Sequence, residues 1–348
     1  MNNKELPVIW NKAEEGLREF CLPLIACLEE FLPRGTRIEN MRISKNNSTF
    51  YDAICIREPG ENCMPVIPAE PYYERFLDGT DFETITEMLL KDYEEAKKAT
   101  NFDTSNLRNY EWIRQHIGFK LVNYEKNKEM LKDMPHAPFL DLTIVIFVDV
   151  ADMMGVPSTF MVHNAHMRDW NVEADQLVKE AMENMTRKIP ARLRTMMEVL
   201  NELNDGGYTD GTEPPMYILT NESRCLGAGC VLYHGVLQAC AKKLGKEFYL
   251  LPSSIHEMIL IPCDEAEDPG MLICMVRDIN RTQVLPSEIL SDYIYKYDGG
   301  RNILSMLDME QESVIVRSQI NLTQMDELLL PKSTNLDGGN AIILKEEA

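Results

Sequence analysis

The sequence predicts an α+β protein: a mixed amino-terminal region with antiparallel strands and a long helix, then a βαββαβ split-sandwich-like domain. Three observations carry that prediction. Apolar residues recur at helical spacing in some segments and at every second position in others. The second half sets out strand, helix, strand, strand, helix, strand in that order. Between the halves, residues 204–215 (NDGGYTDGTEPP) concentrate Gly, Pro, Asp and Asn as nothing else in the chain does, which marks a boundary.

Each element follows in order. Leu17, Phe20, Leu24, Cys27, Leu28 and Phe31 stand at helical spacing, so residues 12–31 read as an amphipathic helix that Pro23 bends or divides. Residues 36–58 alternate apolar and polar on both sides of Lys45-Asn46-Asn47-Ser48, the pattern of a β-hairpin. Four prolines between 59 and 71 make an irregular crossing, and 82–99 resume a helical pattern that ends on Lys97-Lys98, where cations suit the helix dipole. Runs at 118–125, 140–151 and 158–167 read as three strands of an antiparallel meander. A helical pattern then fills 171–204 through Leu177, Ala181, Met185, Leu193, Met196 and Leu200, with Pro190 as a break or the first turn of a second helix.

Beyond the boundary, 216–221, 247–251, 258–262 and 292–298 are strands, and 229–244 and 271–280 are helices. The expected arrangement places both helices on one face of an antiparallel sheet. The domain reading is therefore 1–104 (helix, hairpin, helix), 105–204 (meander and long helix), 205–215 (linker), 216–298 (βαββαβ) and 299–348 (a weakly structured extension with one edge strand at 313–320).

Composition narrows the function classes. The 348 residues carry 56 acidic and 35 basic side chains, a formal charge of -21 spread evenly along the chain. Such a field repels a phosphate backbone, so direct nucleic-acid binding is not expected. The longest apolar run, 142–151, falls far short of the roughly 18 residues a membrane helix needs, and the apolar stretch at 6–10 is too short for a signal-peptide core. Nine cysteines without paired spacing fit reduced, mostly buried thiols in the cytoplasm. No cofactor motif is present, and none is expected to bind.

Four stretches carry a family resemblance: YILTN ahead of GAGCVLYHGVL, then LPSSIHEMILIP, then VRDINRTQVLPSEILSDYIY, spanning residues 217–295. Over this span the chain resembles an uncharacterised domain-of-unknown-function family associated with anaerobic Firmicutes. The resemblance implies a bacterial cytoplasmic protein and assigns no activity, cofactor or catalytic residue.

Three constellations are candidates for chemistry. Ser254, His256 and Glu257 supply hydroxyl, imidazole and carboxylate, the parts of a nucleophile, base and orienter; neighbours in a short hairpin turn align poorly, and turn-forming serines explain the same residues. Asn221, Arg224, Gly227 and Gly229 form a strand-loop-helix passage whose free N–H groups and guanidinium suit an anion, although glycines there also permit close helix packing. Asn280 and Asp292 complete this ligand-binding set if they converge with Asn221 and His256 on one pocket. His163, His166 and Asp169 have metal-ligand spacing on a helix, but on the strand expected at 158–167 they point to opposite faces, so no metal is expected.

The favoured reading is a soluble, non-catalytic module that binds an unidentified protein or small ligand. The alternative is a hydrolase-type enzyme using Ser254, His256 and Glu257. A third is an acidic nucleic-acid mimic, which the even spread of charge disfavours because mimicry needs carboxylates gathered on one face.

Overall fold

A computed structural model describes residues 12–61, 64–100, 104–155, 158–203, 215–266, 268–329 and 342–344. The α+β class holds: several helices accompany sheets whose strand pairs are antiparallel save one. The chain divides into two compact units, the first made of residues 1–45, 49–103 and 151–158, the second of 46–48, 104–150 and 159–348.

In the first unit the helix Lys12–Phe31 runs uninterrupted through Pro23. It buries Leu17, Phe20, Leu24 and Leu28 as its spacing predicts, while Phe31 is exposed. The predicted hairpin forms from β1 (Arg37–Ser44) and β2 (Phe50–Arg57). The proline-rich crossing supplies β3 (Val66–Pro68), which pairs with β2 at the sheet edge, where Pro68 needs no ladder donor. Ile54, Ile56 and Ile67 of this sheet meet the first helix and Ile85, Leu89 and Tyr93 of the helix Phe82–Thr100. Burial in this core pushes the Cys21 thiol up to about 12, so it stays protonated and inert.

The second unit contains a four-stranded antiparallel sheet of β4 (Ile117–Asn123), β5 (His136–Phe139), β6 (Leu142–Asp149) and β7 (Thr159–Met161). β6 is central; β4 lines one edge, and β5 and β7 follow each other along the other. The third expected strand stops at Met161 because His163 caps a helix, Asn164–Trp170, in its place. The long helix expected over 171–204 also divides. It ends at Lys188, and Pro190 leads into β8 (Ala191–Thr195) before a short helix, Met196–Leu203.

β8 joins β9 (Tyr217–Asn221), β10 (Glu247–Ser254), β11 (Glu257–Pro262), β12 (Ile294–Asp298), β13 (Ile303–Glu310), β14 (Ser313–Asn321) and β15 (Ile342–Leu344) in an eight-stranded sheet ordered β14-β13-β12-β10-β11-β9-β8-β15. All neighbours are antiparallel except β8 and β15. Two expectations change here. Residues 205–214 of the expected linker lie outside the described residues, but β8 and β9 on either side of them pair in one sheet, so 205–215 joins neighbouring strands rather than two domains. The expected weak extension contributes β13, β14 and the helix Leu322–Leu329, with Leu304, Met306 and Leu307 buried.

The βαββαβ order is present, with its strands in the spatial order β9-β11-β10-β12. The two helices take opposite faces rather than one. Leu272, Ile273 and Val276 of the helix Pro269–Thr282 pack on Leu251, Ile261 and Ile294, whereas Ala241 of the helix Val236–Leu244 and the Tyr297 ring, on the opposite side of β12 from Ile294, both stand beside Gly299. Topology explains this. Both crossovers step over one strand in the same direction but start from antiparallel strands, and right-handed connections then fall on opposite faces. Among the described residues no helix is long and apolar enough to cross a membrane.

Candidate functional site

The end of β9 sets the site's geometry. Asn221 is fully buried, and its Oδ1 accepts the Cys225 N–H at 3.2 Å and the Ser223 hydroxyl at 2.9 Å while its Nδ2 donates to the Cys225 carbonyl at 2.7 Å. This one side chain therefore closes the loop that follows. Within the loop Arg224 (φ 55°) and Leu226 (φ 56°) both take the left-handed conformation, which is uncommon without glycine and costs strain that such surroundings must hold.

Gly227 follows because nothing larger fits. A methyl group there would stand 2.6 Å from the Asn221 nitrogen, 2.7 Å from the His256 carbonyl oxygen and against the Thr220 hydroxyl. Gly229 in turn lies under the Phe119 ring. The expectation of a helix N-terminus with free donors is not met: Gly227–Leu232 is a tight 3-10 turn, and its entering N–H groups are taken. Leu226 donates to His256 Nδ1 at 3.1 Å and Ala228 to the Ile255 carbonyl at 3.3 Å.

The same bonds decide the Ser254, His256, Glu257 cluster. Ser254 Oγ accepts the His256 N–H at 3.0 Å, a turn-local bond, and His256 Nδ1 is occupied as an acceptor. That acceptor role assigns the ring proton to Nε2, which stands 3.6 Å from Glu288. Glu257 is pushed up from the ordinary carboxylate range chiefly by burial, with His256 and Arg224 opposing the shift. Serine, imidazole and carboxylate are neighbours without being in series, and the arrangement of a nucleophile activated by a base is not formed.

Asn280 and Asp292 form a separate cluster. Asn280 Nδ2 donates to the Ser291 carbonyl at 2.8 Å and to Asp292 Oδ1 at 2.9 Å, and Lys126 stands 3.5 Å from Asp292. Beside them Asp141 accepts the Ser291 hydroxyl at 2.6 Å and the Tyr295 hydroxyl at 2.7 Å, and burial raises its pKa despite those bonds. The segment carrying Asp292 reaches the first cluster through the Ile255 N–H, which donates to the Glu288 carbonyl at 3.0 Å. The four residues Asn221, His256, Asn280 and Asp292 thus sit in two networks, and of the four Asn221 alone lines the pocket formed with Arg224.

Asn221 and Arg224 do open on a pocket, of about 250 Å³, together with Thr220, Arg192, Arg194 and Glu202. Arg194 is buried, and its guanidinium grips both oxygens of Glu202, Nη1 at 2.9 Å; Arg224 Nη2 reaches the same carboxylate at 2.5 Å. The two cations hold Glu202 down to about 2. Arg192 pairs with Glu222 at the rim. Sequence reasoning found Arg224 and Asn221 and missed Arg192 and Arg194. The signal was the run Ala191-Arg192-Leu193-Arg194-Thr195, where arginines two apart share a strand face, hidden by the apparent helical period around it.

His163 and His166 lie on a helix rather than a strand, and the structure uses both. His166 Nδ1 accepts the His163 N–H at 3.0 Å and its ring stacks on Trp170, while His163 Nδ1 stands 3.0 Å from Asp133. Among the described residues no group of three His, Cys, Asp or Glu side chains is placed to hold a metal ion.

Comparison with known proteins gives one finding. Residues 17–299 match the Family of unknown function (DUF5688), and the chain belongs to that family. The stretches of the sequence resemblance, 217–295, fall inside the match. No curated protein and no solved structure matches the chain.

Proposed function

We propose that this member of a family of unknown function is a non-catalytic binding module, and that its second unit takes a small oxyanion, phosphate or carboxylate, between Arg194 and Arg224. One observation carries the reading: two guanidinium groups from separate segments close on a single carboxylate, that of Glu202, inside a pocket of about 250 Å³. Paired guanidinium forks match the geometry of a two- or three-oxygen anion. Three arginines against Glu202 and Glu222 leave this pocket locally positive in a chain whose formal charge is -21. The buried Asn221 and the strained loop fix Arg224 where it is, so the donor set is organised before a ligand arrives.

Glu202 occupies the position of the ligand and is displaced by it. A thermal-shift panel of inorganic phosphate, pyrophosphate, sulfate and citrate tests this. Stabilisation that saturates with at least one anion and disappears in Arg224→Gln is expected; a flat response across the panel for the unaltered protein contradicts the proposal. The hydrolase reading gains no support, since the Ser254 hydroxyl and His256 Nδ1 are both spent on backbone N–H groups. A reducing cytoplasm of a bacterial cell completes the proposal, supported by the unbonded cysteines of the described residues.

A further inference from the structure

The first unit holds a cavity of its own, of about 390 Å³, within the roughly 300–1,000 Å³ span of small-molecule sites. Its wall is apolar, with Ile67 of β3 and Met88 and Ala96 of the helix Phe82–Thr100. Its polar groups gather at Tyr72. The Tyr72 hydroxyl donates to Asp92 Oδ2, and the charges of both Asp92 and Arg75 act on that phenol, so cation and anion stand near the same hydroxyl. They do not pair with each other. Both are exposed, and among the described residues neither is held in an ion pair, so the Arg75 guanidinium and Asp92 Oδ1 are open to solvent.

A solvent-exposed guanidinium and carboxylate, unpaired with each other and both lining an apolar hollow, match a ligand of complementary form. It carries an anion and a cation a few atoms apart and an apolar body behind them. We propose that this cavity binds an apolar α-amino acid, its carboxylate on Arg75, its ammonium on Asp92 and its side chain against Ile67, Met88 and Ala96. A purely apolar guest would displace water from both charges without replacing its hydrogen bonds, and a simple fatty acid would bring a carboxylate beside Asp92 with nothing to offset the repulsion. The site is independent of the arginine pocket in the second unit.

Calorimetric titration of the full chain with L-leucine, L-methionine and L-phenylalanine tests it, with 4-methylpentanoate and isopentylamine as leucine analogues that lack one charge. Saturable one-site binding of at least one amino acid is expected, weakened at least about tenfold by Arg75→Gln and by Asp92→Asn, in keeping with charged hydrogen bonds. Each single-charge analogue should bind at least about tenfold more weakly than leucine on the same ground. Ala96→Leu, which occupies part of the cavity, should weaken binding while leaving the melting temperature within a few degrees. The proposal is overturned if no amino acid binds, if 4-methylpentanoate binds as well as leucine, or if a folded Ala96→Leu protein binds unchanged.

Discussion

Gly227 has no room for a methyl group, and beside the Thr220 hydroxyl two of the atoms that exclude it belong to the backbone of Asn221 and His256, which cannot rotate away as a side chain would. Gly227→Ala should therefore cost about 1–3 kcal/mol, the usual range for overpacking, measured by urea denaturation. Two carboxylates should respond to pH in opposite senses. Glu202 is held at about 2, below the roughly 4.3 of a free glutamate, so what its ion pairs contribute is present above about pH 4.3 and is lost as pH falls toward 2. Glu202→Gln should flatten the acid limb of the melting temperature over that window. Asp141 is raised above the roughly 3.9 of a free aspartate, so ionising it opposes folding as pH rises from there. The stability of Asp141→Asn relative to the unaltered protein should climb as pH increases above about 4, and a constant difference would show that Asp141 ionises as freely in the fold as outside it.

At the level of elements, what was legible in the sequence was local. The hairpin of β1 and β2 and the strands β10, β11 and β12 follow from alternation and turn residues within a dozen positions. Residues 171–204 misled because five strand residues between two helices keep an apparent helical period. The signal that corrects this was present: Thr195 Oγ1 accepts the Glu198 N–H at 3.1 Å and Glu198 Oε2 accepts the Thr195 N–H at 2.9 Å, a capping box written as Thr-Met-Met-Glu. Thr195→Ala should cost about 1 kcal/mol by chemical denaturation. The helix at 164–170 was not legible in the same way, because a histidine pair does the capping that Ser and Glu usually do. The candidate site was half legible for the same reason. Arg224 and Asn221 stand in a loop that announces itself, whereas Arg194 and Glu202 sit in a segment that reads as one helix, and the pairing of β8 with β9 across a long connection brings them to Arg224.

Across the whole molecule, the eight-stranded sheet draws on strands from 191 to 344, so β13 and β14 belong to the same sheet as the strands before residue 299. Truncation after residue 298 removes β13 and β14, with Leu304, Met306 and Leu307 from the core, and should abolish cooperative unfolding, followed by calorimetry. The charge of -21 remains diffuse, and the arginine pocket gathers three guanidinium groups against two carboxylates. That gathering is the centre of the functional proposal. Its most direct test is a crystal soaked in tungstate, an oxyanion visible by anomalous scattering. An anomalous peak between the guanidinium groups of Arg194 and Arg224, with Glu202 swung away from them, is the predicted result. A pocket in which Glu202 stays bound to both arginines and no peak appears would contradict it.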